Sequence, residues 1–192
     1  VGINAAKIAV GMGARVNILD ISTSRLAYLD DVFGNSVTTL MSHDENTTNA
    51  VLNADLVIGA VLIPGAKAPG LVTEAMVRKM RPGSVLVDVA VDQGGCIETC
   101  KTTSHDEPII VKYGVLHYAV PNIPGAVPNT STYALTNVTL KYARDIARLG
   151  LEEAVRRDDS LRKGVNVYEG KITYAAVAQS AGEKSEELAA LL

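Results

Sequence analysis

Short aliphatic segments alternate with helical patterns along the first two thirds of the chain, and this alternation restricts its fold more than any other feature. The clearest aliphatic segments are RVNILD, ADLVIGA and SVLVDVA, at residues 15–20, 54–60 and 84–90. Buried parallel strands are typically unbroken aliphatic runs, and strands that alternate with helices form βαβ units. The sequence therefore predicts an α/β fold with a doubly wound parallel sheet of the Rossmann type.

The remaining patterns give the order of the predicted elements. Helices are predicted over residues 2–12, 22–33, 44–53 and 72–80, further strands over 37–40 and 115–120, and irregular chain over 91–108. The chain opens at Val1 and enters a helical pattern at once. This opening predicts that the first strand of the fold is missing and that the sequence is N-terminally truncated.

The pattern changes after Pro128, where polar, helix-forming residues replace the aliphatic strands. The predicted elements are a helix at 131–149 with Asn129 or Thr130 as N-cap and Gly150 as stop, a charged helix at 151–163, a hairpin at 165–174 that turns at Glu169-Gly170, and a frayed polar end. We therefore expect an α/β domain over residues 1–128. Residues 129–192 should form a helical segment that packs on a part of the protein outside this sequence.

Charge and cysteine usage exclude several classes of function. The net charge is -3 with both signs interspersed, and there is no basic stripe, which argues against a nucleic-acid partner. The apolar runs are too short to cross a bilayer, so no membrane partner is expected. Cys96 and Cys100 have no matching cluster of His or Cys nearby. We therefore expect no metal site and two reduced thiols in a cytoplasmic protein.

Gly2 and Asp20 match the second half of a dinucleotide-binding pattern. In such folds a glycine-rich turn opens the first helix beneath the pyrophosphate. An acid at the end of the second strand, about 20 residues on, accepts a hydrogen bond from the adenosine ribose. Val1 and Gly2 would lie at that turn and Asp20 at the strand end. An ordinary chain end for Gly2, and a turn or N-cap role for Asp20, remain open alternatives.

An acid at this position also bears on the choice of cofactor. A carboxylate repels the 2′-phosphate of NADP and accepts a hydrogen bond from the free ribose hydroxyl of NAD, so Asp20 favours NAD. Arg25, five residues later, could contact the adenine side or stay solvated.

Three long segments make the prediction more specific. They are ADLVIGAVLIPGAKAPGLVT, SVLVDVAVDQGGCIET and HYAVPNIPGAVPNTSTYALTN, at residues 54–73, 84–99 and 117–137. Together they resemble the alanine dehydrogenase family, which is shared with the proton-translocating nicotinamide nucleotide transhydrogenases. The resemblance runs from Gly2 to about Ala178. Within the family the D-Q-G-G run favours the alanine dehydrogenases, because transhydrogenases generally have another residue in place of the Asp.

The resemblance implies an activity, which is the NAD-dependent, reversible oxidative deamination of L-alanine to pyruvate and ammonia. It implies a cytoplasmic homo-oligomer, by family a hexamer. It also implies that the substrate-binding Arg and Lys and the catalytic His come from an N-terminal substrate domain, so the chain alone would be inactive. Two alternatives stay open: an α-type transhydrogenase subunit with a membrane partner, and a non-catalytic dinucleotide-binding module.

The resemblance also assigns site residues. Asp92 of the D-Q-G-G run is the implied catalytic residue beside the nicotinamide, and a loop aspartate that caps local backbone is the alternative. The other implied cofactor contacts are Ser42, Val61, Leu62, Val89, Ala90, Val91, Lys101, Val120, Pro121, Asn122 and Ile123. The family usually has V-A-N-M-P where this chain has V-P-N-I-P, so Pro121 removes a backbone N–H there. Asp88, inside a predicted strand, is expected to be structural.

Overall fold

Parallel strands linked by helices form the N-terminal part of the molecule in the computed structural model, which describes residues 1–192. The elements in chain order are α1 (Gly2–Gly11), β1 (Val16–Asp20), α2 (Thr23–Phe33), β2 (Val37–Met41), α3 (Asp44–Asn53), β3 (Leu56–Gly59), α4 (Glu74–Val77), β4 (Val85–Asp88), β5 (Ile109–Lys112) and β6 (Val115–Tyr118). This order confirms the predicted alternation of strands and helices.

These strands form two sheets within one compact unit. β1 pairs in parallel with β2, while the second sheet has the order β3-β4-β6-β5, in which β3, β4 and β6 are parallel. β1 and β3 each pair on one side only, and α1 contacts both of them. The parallel strands and the helices that connect them confirm the predicted Rossmann-type α/β architecture.

The strand β5 corrects the prediction, which names no strand between residues 91 and 114. It runs antiparallel to β6, with Lys112 opposite Val115. The connection has only two residues, Tyr113 and Gly114, whose φ angles are 56° and 75°. Favoured two-residue hairpin turns require positive φ, and the sequence pairs that signal them are usually Asn-Gly or Asp-Gly. The Tyr-Gly pair therefore gives a weaker signal of the same turn.

Aliphatic side chains from the strands and from α4 form the core of this unit. Val77, Leu86 and Val115 are completely buried, one each from α4, β4 and β6. The single Phe of the chain is not among the buried residues, as expected from a composition in which Val, Ile, Leu and Ala supply the core. The central strands β4 and β6 thus contribute fully buried side chains to the core, whereas β3 and β5 keep exposed apolar residues such as Leu56 and Ile109.

The helix α4 covers only four residues, whereas the sequence predicts a helix over 72–80. The Thr73 hydroxyl caps its start by accepting a hydrogen bond from the Met76 amide at 3.3 Å. Val72, directly before the cap, forms a parallel bridge with Ile97 instead of a helical turn. Tertiary pairing has therefore replaced the first predicted turn of this helix.

The second compact unit is mainly helical. It comprises Ile63–Lys67 and Asn122–Leu192, and the first unit comprises Val1–Leu62 and Ala68–Pro121. The elements of the second unit are α5 (Pro128–Leu149), α6 (Leu151–Arg157), α7 (Asp159–Gly164), β7 (Val167–Tyr168), β8 (Lys171–Ile172) and α8 (Ala175–Ala181). The boundary that the sequence suggests near residue 128 falls within this unit.

Local capping explains where these helices differ from the prediction. α5 begins with Pro128 at its first helical position, so Asn129 and Thr130 lie inside the helix and neither is its N-cap. Proline is favoured there because its φ is already helical and its missing N–H would have no helical partner. The predicted helix over 151–163 is divided at Asp158, whose carboxylate accepts a backbone amide hydrogen bond at 2.7 Å and so starts α7.

The C-terminal hairpin is confirmed. β7 and β8 are antiparallel, and the turn between them lies at Glu169 and Gly170, both with positive φ. The sequence patterns do not predict the short helix α8 that follows. The polar end predicted to be frayed contains a single 3₁₀ turn at Leu188–Ala190, in which Leu188 is buried.

Candidate functional site

The carboxyl ends of β1 and β2 bring Asp20 next to Ser42. Asp20 is paired with Met41, the last residue of β2, and the Ser42 amide donates a hydrogen bond to the Asp20 carbonyl oxygen at 2.9 Å. One carboxylate oxygen of Asp20 accepts a hydrogen bond from the Ser22 amide at 2.8 Å. Ser22 itself caps α2, so Asp20 is not the N-cap of this helix. The second carboxylate oxygen is available to a hydroxyl donor at this edge of the sheet.

The chain segments that follow β3 and β4 are tied together by backbone hydrogen bonds. The Val89 amide donates to the Gly59 carbonyl oxygen at 2.8 Å, and the Ala68 amide donates to the Gln93 carbonyl oxygen at 2.8 Å. Both segments leave the carboxyl ends of neighbouring parallel strands, which is where open α/β sheets bind ligands. The hydrogen bonds therefore build one continuous rim at that edge.

Asp92 lies on this rim, in a 3₁₀ turn over Val91–Gln93 that comes shortly after β4. It is exposed and its carboxylate makes no hydrogen bond or ion pair within the chain, so it caps no local backbone. The turn ends at Gly94 and Gly95, with φ angles of 88° and 75°. Glycine adopts this left-handed conformation without the steric cost of a side chain. The D-Q-G-G run is thus a tight turn that presents one free carboxylate.

The side-chain oxygen of Gln93, next to Asp92, is buried and accepts no hydrogen bond. Leaving a buried acceptor unpaired costs about 1–3 kcal/mol. The turn therefore offers a ligand one acceptor, the exposed carboxylate of Asp92, whereas the Gln93 oxygen is shielded inside the chain.

Asp88, the last residue of β4, is completely buried and its carboxylate accepts four hydrogen bonds. Oδ2 accepts from the Cys96 amide at 2.9 Å and the Ile97 amide at 3.0 Å. Oδ1 accepts from the Ala90 amide at 3.0 Å and from the Cys96 thiol at 3.5 Å. The donors come from both ends of the loop that contains Asp92, so the expectation of a structural role for Asp88 agrees with its contacts.

The two cysteines are free thiols of low reactivity. Burial raises the pKa of Cys96 and of Cys100 to about 12, and the negative charge of Asp88 contributes to both increases. Only the thiolate is a nucleophile or a metal ligand. Neither cysteine therefore supplies a nucleophile near neutral pH.

His117 is buried in the sheet and is fully hydrogen-bonded. Its Nδ1 lies 3.0 Å from the Val115 carbonyl oxygen, and its Nε2 lies 2.7 Å from the Thr99 hydroxyl oxygen. A carbonyl oxygen can only accept, so Nδ1 carries the proton and Nε2 accepts from Thr99. Burial lowers the pKa of His117, and the neighbouring positive charge of Lys112 adds to the effect. The imidazole is a neutral structural group and not part of the rim.

This histidine should make the stability of the protein depend on pH. The unfolded chain takes up a proton at His117 as the pH falls through about 6.5, whereas the folded chain resists it to a lower pH. The free energy of unfolding is therefore expected to decrease between pH 7 and pH 5. Urea unfolding at several pH values should show a smaller decrease for His117→Gln, and the exposed His105→Gln serves as the matched control. An identical slope for wild type and His117→Gln would contradict the assignment.

The other predicted cofactor contacts differ in how much of the side chain is accessible. Ala90 and Val120 are buried, so only their backbone atoms could contact a ligand. The Cβ that an alanine would add at Gly2 lies 3.7 Å from the Ala60 Cβ, an ordinary contact that leaves room at the start of α1. The exposed residues are Val1, Gly2, Arg25, Leu62 and Lys101, and the part-buried ones are Ser42, Val61, Val89, Val91 and Pro121.

Asn122 and Ile123 belong to the second compact unit and are described within it. Asn122 has φ 52° and ψ 48° and precedes a 3₁₀ turn over Ile123–Ala126. A non-glycine residue in this left-handed region is uncommon, and Asn is among the residues that tolerate it best. The V-P-N-I-P segment is therefore a sharply turned one, and its Asn has a conformational reason to be there.

The structure shows neither a metal centre nor a bilayer-spanning helix. No group of three or more His, Cys, Asp or Glu side chains could hold a metal ion. None of the helices combines the length and the apolar composition needed to span a bilayer.

Comparison with known proteins identifies the family of the chain. The family sequence model of the alanine dehydrogenase/PNT C-terminal domain matches residues 1–175. The chain belongs to this family. Its membership of the alanine dehydrogenase/PNT family confirms the resemblance carried by the D-Q-G-G turn and the neighbouring segments.

The alanine dehydrogenase/PNT relatives are similar over almost the whole chain. An alanine dehydrogenase of Methanococcus maripaludis is 64% identical over 181 residues, which are 94% of this chain and 48% of the relative. An alanine dehydrogenase of Bacillus subtilis is 57% identical over 183 residues, 95% of this chain and 48% of the relative. The chain therefore spans about half the length of the curated relatives it matches.

Solved structures give the same result. An L-alanine dehydrogenase structure covers 94% of this chain and 50% of its own, with 52% identity and a TM-score of 0.83. A transhydrogenase from Sinorhizobium meliloti covers 91% of this chain and 47% of its own, with 24% identity and a TM-score of 0.60. The second likeness is at the level of the fold alone.

Proposed function

We propose that this chain is the NAD-binding part of an alanine dehydrogenase, which catalyses the reversible oxidative deamination of L-alanine to pyruvate and ammonia. The observation that carries the proposal is the 64% identity to an alanine dehydrogenase over 94% of the chain. The α-type transhydrogenase subunit is a weaker alternative, because identity to the transhydrogenase is only 24%. A steady-state assay of alanine-dependent NADH formation tests the proposal directly.

We further propose that the chain acts within a protein about twice its length, called the full-length protein below. The alignments support this proposal, because the chain covers only 48% of the length of each of the two relatives. It also accounts for β1 and β3, which each lack a partner on one side although α1 contacts both. The predicted first strand, placed between them, would join the two sheets into one in which every strand except β5 is parallel.

The second unit supports the same proposal. Residues 132–141 of α5 are exposed on every side of the helix, although Tyr133, Leu135, Val138 and Leu140 are large and apolar. Exposed groups of large apolar side chains commonly mark the surface on which another part of a protein packs. We therefore propose that residues 129–192 pack on an N-terminal substrate domain of the full-length protein, which acts as a cytoplasmic homo-oligomer.

The residues at the carboxyl ends of the strands and at the start of α1 fit a dinucleotide. The second carboxylate oxygen of Asp20 can accept a hydrogen bond from a ribose hydroxyl, and Ser42 lies beside it. No side chain caps the first turn of α1, and uncapped helix amides favour a phosphate group. The exposed carboxylate of Asp92 remains for the reacting end of the ligands.

NAD, when bound, would supply the group that accepts a hydride from the α-carbon of alanine. The residues of the chain then have to bind and orient the cofactor and the substrate and to exclude competing reactions. Asp92 is the residue we propose as catalytic. Its free carboxylate can accept a hydrogen bond from the substrate amino group or from the attacking water, and can hold that proton during the reaction. The rim gives this carboxylate a fixed position, because backbone hydrogen bonds join the segments on either side of it.

The full-length protein is expected to prefer NAD to NADP because of Asp20. A hydrogen bond to a charged group contributes about 1.5–3 kcal/mol, so losing it should lower kcat/KM with NAD by about 10- to 100-fold in Asp20→Asn. The same variant should reduce the difference in kcat/KM between NAD and NADP, because the repulsion of the 2′-phosphate is removed. Asp31→Asn, an exposed change of equal charge on α2, is the control. Equal use of both cofactors by the wild type would refute the prediction.

A further inference from the structure

Asp88 is a buried carboxylate without a cationic partner. It has no exposed surface and forms none of the ion pairs in the chain, whose acidic members all lie at the surface. Burying a carboxylate is costly unless hydrogen bonds compensate the lost solvation. Here the compensation comes from three backbone amides and one thiol. An apolar side chain of similar size could not accept these four hydrogen bonds, so the carboxylate has a role that such a side chain could not fill.

The positions of the amides that donate hydrogen bonds to Asp88 show what this role is. Ala90 lies at the start of the loop that follows β4, while Cys96 and Ile97 lie at its end. One carboxylate therefore fastens both ends of the loop to the end of a buried strand. The residues between the two ends include the D-Q-G-G turn with Asp92.

The glycine at the end of the turn fits closely against this carboxylate. A Cβ added at Gly95 would lie 2.9 Å from Oδ2 of Asp88, and Gly95 has φ 75°, so a side chain would be both crowded and strained. Gly59, in the neighbouring strand, faces the same loop, because a Cβ added there would lie 2.3 Å from the Cys96 sulfur. The end of the loop is thus packed closely against Asp88 and β3, so that a side chain at Gly95 or Gly59 would push the loop away.

We propose that Asp88 is the positioning residue for Asp92: it closes the loop over residues 89–97 and thereby fixes the catalytic carboxylate at the rim. This rests on the role proposed above for Asp92. Asp88 does not touch substrate, since it is completely buried. It acts through backbone amides, and its effect on the reaction passes through the position of Asp92.

A double-mutant cycle in the full-length protein tests the proposal. Asp88→Asn keeps the shape of the side chain but replaces one accepting oxygen with an NH2 group, which cannot accept from the amides. A misplacement of about 1 Å can cost roughly 100-fold in rate, so Asp88→Asn should lower kcat by about 100-fold. In the Asp92→Asn background the same change should lower kcat by less than about 3-fold, because the carboxylate it positions is already gone. Leu29→Ala, a buried change in α2 outside the cluster that packs against the loop, is the control for lost stability and should lower kcat equally in both backgrounds.

Amide hydrogen exchange gives a readout that does not depend on activity. Asp88→Asn should increase exchange at Ala90, Cys96 and Ile97 more than at other buried amides. Leu29→Ala, which lies outside the hydrophobic cluster of these residues, should not single them out. If Asp88→Asn does not fold, Gly95→Ala disturbs the same contact from the loop side and should show the same loss of kcat and the same exchange pattern.

The outcomes separate the two proposals. Equal losses of kcat from Asp88→Asn with and without Asp92, or unchanged exchange at the three amides, would overturn the positioning role. If the wild-type protein shows no alanine-dependent NADH formation, the proposed function fails by itself, and the exchange data then decide whether Asp88 holds the loop.

Discussion

Replacing Asp92 with Asn in the full-length protein is expected to lower kcat by about 100- to 10,000-fold, the range typical of a residue that handles a proton in the transition state. The side chain is exposed on a turn at the carboxyl end of a parallel strand, and it makes no contact that folding needs. The substitution keeps its size and removes only the charge and the basicity. The protein should therefore remain folded while the chemical step becomes slow.

The Kd for NAD is expected to change by no more than a few-fold in the same variant, because an interaction made mainly in the transition state appears in kcat and not in binding. Turnover is measured with saturating alanine and NAD, and NAD affinity by calorimetry. Asp106→Asn, a change of equal charge in an exposed loop, is the matched control. An unchanged kcat together with weaker NAD binding would assign Asp92 to cofactor binding instead of catalysis.

The sequence predicts the parallel strands well because each is an aliphatic run that can be recognised locally. It predicts less well those elements whose limits depend on residues far along the chain. The start of α4 is lost because Val72 pairs with Ile97, and β5 forms because Tyr113 and Gly114 make a two-residue turn. The Val72–Ile97 bridge is not visible in a window of neighbouring residues, so a tertiary contact overrides the local pattern there. The hairpin of β5 and β6 is local, but its Tyr-Gly turn is a weaker signal than the usual Asn-Gly or Asp-Gly pair.

The candidate site shows the same division. Asp20 is predicted from the strand pattern and Ser42 from the family resemblance, and the parallel pairing of β1 with β2 brings the two residues side by side. The contribution of Asp88 does not follow from its position within a strand. The signal that could have indicated it is an acid in an otherwise aliphatic strand just before a turn with two glycines, since such an acid needs nearby backbone donors. The burial of Val120 likewise depends on the packing of the folded chain, so it cannot be recognised from the neighbouring residues.

The 192-residue chain by itself is expected to show no alanine-dependent NADH formation above background and no tight binding of NAD. Hydride transfer requires a substrate held close to the nicotinamide in a defined geometry. The chain offers one free carboxylate at the rim, whereas His117 is buried in the sheet and His43 caps α3. The groups that would bind the carboxylate of alanine are therefore proposed to lie elsewhere in the full-length protein.

The packing of the chain leads to the same expectation. The free sides of β1 and β3 leave backbone donors and acceptors without strand partners, and α5 exposes four large apolar side chains. Unpaired edges and exposed apolar surface favour association and local opening over a rigid ligand site. The start of α1, proposed above to bind the phosphate groups, also depends on the strand proposed to lie beside it. Expressing residues 1–192 alongside the full-length protein, titrating NAD by calorimetry and assaying NADH formation with alanine tests this account. Turnover by the isolated chain within about 10-fold of the full-length rate, a difference of only ~1.4 kcal/mol in the barrier, would show that the catalytic groups lie within these residues.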